Sequence, residues 1–445
     1  MNTPIIDFVR KYAEKGDLRL HMPGHKGRGL LGFEALDLTE IAGADSLFEA
    51  NGIIKESEGN ASALFGCETY YSTEGSSLCI RAMAYLVTLY AREKGVAPKV
   101  LAARNAHKTF LSACALLDMD VTWLYGEEEG SYLSCSISPE TLETEILKAP
   151  EKPIAVYITS PDYLGGVADI AEISKVCRKH GVLLCVDSAH GAYLGFLPSS
   201  RHPIHLGADI CCDSAHKTLP SLTGGAYLHI GENAPKLFGE NAKTALSIFG
   251  STSPSYLILQ SLDAVNAYLA DGYSERLLEF CALADECKRE LSEYGYSFFG
   301  DEPLKLTVKT KPYGYVGYDL EILLKQNGIT VEYSDRDHVV MMLTPETGEE
   351  GLSRLTGAMK SIKKLSPITE KMPKGNRLKQ VMSIREATFS PSELLPVCEC
   401  EGRVLAQATV SCPPAVPIAV CGEMLDKSAI EAFEYYGTEY CRVVK

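Results

Sequence analysis

The chain has 445 residues, 46% of them hydrophobic and 23% charged, with a formal net charge of -15 and an isoelectric point near 5.2. This composition describes a globular protein long enough for more than one core, and its acidic balance argues against a nucleic-acid partner. No apolar run reaches the length of a membrane span, and no charged start followed by an apolar stretch marks a secretion signal.

The first chemistry-bearing segment is His21-Met-Pro-Gly-His-Lys-Gly27. His21 and His25 have the i, i+4 spacing of a helical metal pair, but Pro23-Gly24 interrupts any regular helix between them. A loop near the mouth of an active site is expected there, and no metal site. Next, Tyr70-Tyr-Ser-Thr-Glu-Gly-Ser-Ser77 leaves a strand-like stretch and opens the apolar helix Leu78 to Tyr90. Gly75 lets the backbone approach a ligand, and Ser76, Ser77 and the amides of the first turn could donate to a phosphate. Taken alone, the same residues also fit an ordinary serine cap. No P-loop lysine-serine pair follows, and no Gly-x-Gly-x-x-Gly occupies a strand-to-helix turn, so nucleoside triphosphates and dinucleotides are not supported.

Short apolar runs then alternate with helical stretches over roughly the first 235 residues. Strands are expected at Val100 to Ala103, Val121 to Leu124, Ile154 to Ile158, Val182 to Val186, Asp209 to Cys212 and Ala226 to Ile230. Helices fit at Ser76 to Glu93, Ala106 to Leu117 and Ile170 to His180, and the acidic run Glu127 to Glu129 reads as a solvated turn. This βαβ rhythm predicts an α/β fold around a doubly wound, mostly parallel sheet. Ligands of such sheets bind beyond the carboxyl ends of the strands. Arg104-Asn-Ala-His-Lys108, Asp187 and Asp213-Ser-Ala-His-Lys217 all follow strands, and Leu219 to Gly225 leads from the last of these into another.

A lysine confined at a sheet edge has its pKa lowered by desolvation and becomes a nucleophile toward carbonyl carbon. An aspartate at a neighbouring strand end could hold the protonated nitrogen of a pyridine ring. A Schiff-base lysine, a ring aspartate and a phosphate loop are used together by one cofactor, pyridoxal 5′-phosphate.

Beyond residue 260 the pattern changes to amphipathic helices and short strands such as Lys305 to Lys309 and His338 to Leu343. Lys371 to Arg377, basic with Pro and Gly, reads as a linker. Three domains are therefore expected: residues 1–260, the amino-terminal segment and cofactor-binding large domain; 261–370, a smaller α+β domain; and 378–445, a compact carboxyl-terminal α+β domain. The fifteen cysteines are scattered, and Cys114, Cys185, Cys211 and Cys212 sit inside apolar stretches as small core residues. That usage points to a reducing compartment, the cytoplasm. Cys398, Cys400, Cys412 and Cys421 match no paired-knuckle metal pattern.

In these residues the chain resembles the Orn/Lys/Arg decarboxylases, pyridoxal phosphate enzymes of the aspartate aminotransferase fold. The resemblance runs from His21–Gly27 through Thr39-Glu-Ile-Ala-Gly-Ala-Asp45, the Ser72 to Ser77 loop, Arg104–Lys108, Thr159–Tyr163, Val186–Gly191, Ser214–Thr218 and Ser251–Tyr256. It continues to Met382-Ser-Ile-Arg-Glu386, Pro413-Pro-Ala-Val-Pro417 and Gly422-Glu423. It implies that Lys217 binds the cofactor as a Schiff base, that Asp187 holds the pyridine nitrogen, and that His107 stacks on one ring face with Ala189 on the other. Gly75, Ser76, Ser77, Ser214 and His216 would hold the phosphate. Ser251 and Thr252 would reach the cofactor phosphate of a neighbouring subunit, which implies a homodimer with composite sites. His190 could touch substrate or bond within the core.

Family members commonly carry an acidic residue after the cofactor aspartate, where this chain has Ser188, and Asp162 and Tyr193 have no assigned role. The short-form resemblance carries no amino-terminal wing domain. The reaction implied is decarboxylation of arginine, lysine or ornithine to an amine of the polyamine pathway. An aminotransferase or carbon-carbon lyase on the same fold is the alternative, and a non-enzymatic regulator is disfavoured by the intact motifs.

Overall fold

A computed structural model describes residues 1–126, 131–373, 377–408 and 414–445. Glu127 to Glu129, residues 374–376 of the expected linker, Cys412 and Pro413 lie outside the described residues.

The strands up to residue 230 are β1 (Glu68–Ser72), β2 (Lys99–Ala103), β3 (Asp120–Leu124), β4 (Ala155–Thr159), β5 (Leu183–Asp187), β6 (Ile210–Asp213) and β7 (Ala226–Ile230). The helices from the amino terminus are α1 (Pro4–Lys15), α2 (Ile53–Phe65), α3 (Gly75–Glu93), α4 (Lys108–Leu117), α5 (Pro139–Lys148), α6 (Ile170–His180), α7 (Ala215–Thr218), α8 (Lys236–Phe249), α9 (Tyr256–Ala270) and α10 (Tyr273–Tyr294). Each expected strand is present within a residue of its sequence bounds, because buried strands are written as short apolar runs and the half-exposed β3 as an alternating one. One helix start differs. The stretch expected from Ala106 becomes helical only at Lys108, because His107 keeps an extended backbone and accepts the Thr109 amide on its ring as an N-cap.

The chain forms two compact units, residues 1–94 with 183–276, and residues 95–182 with 277–445. In the first unit the strand order is β1-β7-β6-β5. β5 and β6 run parallel, while β7 is antiparallel to both β6 and β1. Strands β5, β6 and β7 are buried along their whole length. Two carboxylates fix the amino-terminal helices against this sheet. Asp263 of α9 accepts the amides of Ile5 and Ile6 at 3.0 and 3.1 Å and the Ser57 hydroxyl at 2.6 Å. Asp45 accepts the amides of Gly52 and Ile54 at 2.7 and 3.1 Å, at the start of α2. Both satisfy helix amides that would otherwise be orphaned.

In the second unit β2 pairs in parallel with β3 and β4. A four-stranded antiparallel sheet of β8 (Phe298–Phe299), β9 (Lys305–Lys309), β10 (Tyr333–Ser334) and β11 (His338–Met342) follows, with helices α11 (Gly317–Gln326) and α12 (Gly348–Ser361). The carboxyl-terminal part adds β12 (Lys379–Gln380), α13 (Ile384–Phe389), β13 (Ser392–Pro396), β14 (Leu405–Gln407), β15 (Glu423–Met424), α14 (Lys427–Tyr435) and β16 (Tyr440–Val444). Its core packs Val397, Cys400, Leu405, Phe433, Cys441 and Val443. The architecture is the expected α/β fold with a mostly parallel large sheet, a smaller α+β part and a compact carboxyl-terminal α+β part. Among the described residues no cysteine is disulfide-bonded, and no helix is long and apolar enough to cross a membrane.

Candidate active site

Within the first unit, the expected residues gather where β5 and β6 end and α3 begins. Asp187 closes β5 and is 2% exposed. Its Oδ1 accepts the Ala189 amide at 3.3 Å and faces the Cys212 thiol at 3.8 Å. Four residues after β6 ends at Asp213, the one-turn helix α7 presents Lys217, whose Nζ lies 3.0 Å from Nε2 of His190. His190, for which the sequence offers either a substrate contact or a bond within the core, here bonds the lysine.

The phosphate-loop residues converge on the start of α3. Gly75 takes the left-handed backbone conformation, φ +69°, and its amide donates to the Gly224 carbonyl at 2.8 Å. The Ncap of α3 is Glu74, whose side chain makes no cap bond to the helix. Ser214 Oγ donates to Ser76 Oγ at 2.8 Å, which ties the Lys217 turn to that helix end. His216 donates from Nδ1 to the Gly225 carbonyl at 3.0 Å, beside Gly75. Gly224 also has a positive φ, and a Cβ there would lie 2.8 Å from the Thr73 carbonyl oxygen. Ser251 and Thr252 are exposed, and the Ser251 amide donates to Glu74 at 2.6 Å in its own chain.

Behind the lysine turn lies a buried group absent from the sequence reading. Asp213 Oδ2 accepts from Nε2 of His202 at 2.8 Å and Nε2 of His229 at 3.0 Å, all three side chains being fully buried. Burial alone would raise the Asp213 pKa, but the two imidazoles overcome it and hold the carboxyl below its ordinary value. Burial lowers the pKa of His229, whose Nδ1 meets the Thr69 hydroxyl at 2.9 Å.

In the second unit, His107 caps α4 through Nδ1, which accepts the Thr109 amide at 3.1 Å. Asp162, unassigned from sequence, closes a turn: it accepts the amides of Leu164 and Gly166 and the Ser134 hydroxyl. Burial raises its pKa. In the first unit Tyr193 is fully buried, and His21 and His25 pair with Tyr12 and Asp37 in a partly exposed loop.

Three further polar groups adjoin the candidate residues. The Asn105 amide, the Ser188 hydroxyl and the Thr218 hydroxyl are buried and have no hydrogen-bond partner among the described residues. Ser188 follows Asp187, Thr218 follows Lys217, and Asn105 precedes His107 by two. Buried polar groups are seldom left unsatisfied, so a ligand or water belongs beside each. Asn105 and Thr218 were not singled out from sequence, because an orphaned hydroxyl or amide is a property of packing.

Residues 3–299 match the family model described as Orn/Lys/Arg decarboxylase, major domain. The chain belongs to that family. It is accordingly an amino acid carboxy-lyase that acts on a basic substrate. An arginine decarboxylase of Halalkalibacterium halodurans is 29% identical, over 96% of this chain and 91% of that protein. One of Bacillus subtilis is 28% identical, over 96% and 92%. Among solved structures, the lysine decarboxylase of Francisella novicida superposes with a TM-score of 0.81 at 17% identity, over 100% of this chain and 81% of that one, and so shares the fold.

Proposed function

We propose that the chain converts arginine to agmatine and carbon dioxide with pyridoxal 5′-phosphate bound at Lys217. Arginine is preferred over lysine and ornithine because the two similar relatives described above carry that activity in their names. The observation that carries the site assignment is the Lys217 to His190 contact at 3.0 Å, next to a buried aspartate and an uncapped helix start in the same unit.

The residues present fit this cofactor. The α3 amino terminus with Gly75, Ser76 and Ser77, joined by Ser214 and His216, offers amides, hydroxyls and a helix dipole suited to a phosphate dianion. The unsatisfied hydroxyls of Ser188 and Thr218 supply further donors beside the ring and the lysine. Asp187, buried and acceptor-only when ionised, would hold a proton on the pyridine nitrogen. His107 would lie against one ring face and Ala189 against the other. When bound, the cofactor supplies an electron sink for the electron pair left at Cα as the carboxylate departs. His190 would take a proton from the Lys217 ammonium and so leave its amine free to hold the cofactor, and Lys217 would deliver a proton at Cα once carbon dioxide has left.

The same reading places residues 1–260 in the large domain, 261–370 in the small domain and 378–445 in the carboxyl-terminal domain. It includes a cytoplasmic homodimer in polyamine synthesis with Ser251 and Thr252 serving the partner's phosphate. The exposed Leu18, Leu20, Leu30 and Leu31 support a second copy as their cover. The buried thiols support a reducing compartment.

The test is to supply purified protein and cofactor with arginine, lysine and ornithine separately, and to measure carbon dioxide and amine. Agmatine from arginine, abolished by Lys217→Ala, is expected. Turnover of lysine or ornithine alone would overturn the substrate. Cofactor absorbance that persists unchanged in Lys217→Ala would overturn the anchor.

A further inference from the structure

Three motifs near the carboxyl terminus have no part in the chemistry above: Met382–Glu386, the proline-rich run ending at Pro417, and Gly422-Glu423. Two of them bond α4 directly, and the third bonds Arg104 in the turn that leads into it. We infer that they form a brace that holds α4 at both ends, and that Arg104, Glu423 and Arg385 are thereby positioning residues for the reaction. The inference rests on the reading of His107 as the residue against the cofactor ring.

In the turn between β2 and α4, Arg104 donates to the carbonyls of Pro417 at 3.1 Å and Ile418 at 3.0 Å, and to Glu423 Oε2 at 3.1 Å. Glu423 is 1% exposed and also accepts the Val420 amide at 2.7 Å, so the pair is held from both sides. The Lys108 amide, one of the first-turn donors that a helix leaves unsatisfied, donates to the Ala415 carbonyl at 2.8 Å. Ala415 keeps φ +57°, a conformation its Cβ disfavours, where its carbonyl meets Lys108.

At the carboxyl end, Arg385 Nη1 donates to the carbonyls of Ala115 at 2.8 Å and Leu116 at 3.1 Å. These are last-turn carbonyls of α4, and a cation there also complements the helix dipole. A capping box of Ser383 and Glu386 fixes the start of α13 and with it Arg385. The His107 ring is fastened to α4 by the Thr109 amide. A shift of α4 therefore turns the ring.

A purely docking role for these contacts predicts lost stability and unchanged chemistry in whatever protein stays folded. A positioning role predicts coupling to His107. The experiment compares Glu423→Gln and Arg385→Met, alone and combined with His107→Asn, which retains a side chain able to cap α4. In cofactor-free protein, hydrogen exchange across residues 105–118 should rise about tenfold in either brace variant, with β5 to β7 unaffected. In the loaded enzyme, each variant should lower kcat about tenfold with KM nearly constant, and by less than about twofold when His107 is already Asn.

Equal losses in both backgrounds, or unchanged exchange at 105–118, would overturn the brace. Arg385→Met holds the opposite end of the helix and decides the matter if Glu423→Gln does not fold. If no basic amino acid is turned over, the proposed reaction fails, and the exchange measurement on cofactor-free protein still decides the brace.

Discussion

Lys217 stands on a helix of a single turn, too short to hold a side chain by helical packing alone, and its amine is positioned instead by the His190 imidazole at 3.0 Å. A lysine ammonium must shed a proton before it can attack carbonyl carbon, and a neutral imidazole at hydrogen-bond distance is matched to that task. His190→Phe is expected to lower kcat by about 10²-fold, at the low end for a lost acid-base group. The rate at which cofactor-free protein captures pyridoxal 5′-phosphate should also shift its pH profile upward. An unchanged capture profile would reduce His190 to a core residue. Ser188 belongs to the same corner: with a hydroxyl in place of a second acid, no second negative charge stands next to Asp187 in the chain.

Some helices here are fastened at their ends by buried carboxylates. Asp263 ties two amides of α1 and the Ser57 hydroxyl, and burial raises its pKa. Asp263→Ala leaves the two α1 amides without that acceptor and should cost about 3 kcal/mol, read as a lower urea midpoint with the m-value unchanged. A midpoint within error of the parent would show that α1 contributes nothing to the cooperative fold. Element ends also carry the weakest signal in the sequence. Ala226–Ile230 and Ile170–His180 match to the residue, because one is a mostly apolar run that follows a glycine pair and the other ends on a glycine. The start of α4 was missed because His107 is an uncommon cap, and its role depends on a ring nitrogen that composition cannot reveal.

At the scale of the molecule, acid stability follows from the group behind the lysine turn. The Asp213 pKa lies below its ordinary value of about 3.9, so its charge stabilises the fold above that pH and the contribution is lost as pH falls through the folded value. His229 is buried with its pKa lowered, so below about pH 6.5 the unfolded chain binds a proton that the folded chain refuses. The melting temperature should fall from about pH 7 to about pH 5 and more steeply below about pH 4. His229→Gln, which keeps an amide donor for Asp213, should flatten the first part of that fall, and a parent curve level between those values would remove the assignment. The strands, the lysine and the phosphate loop were legible because each is written in consecutive residues. His202, Asp213 and His229 were not, since strand pairing and a loop bring together residues that share no local pattern.

Gly224 shows how such a site limits its own variation. The space a side chain would need is taken by the Thr73 carbonyl and by Ile258, 2.8 and 2.9 Å from where the Cβ would stand. A survey of tolerated substitutions would thus rank Gly224 beside Lys217, although it donates, accepts and transfers nothing through a side chain. Its duty is vacancy, and a map of intolerance drawn over this chain would mark the walls of the site as darkly as its reagents.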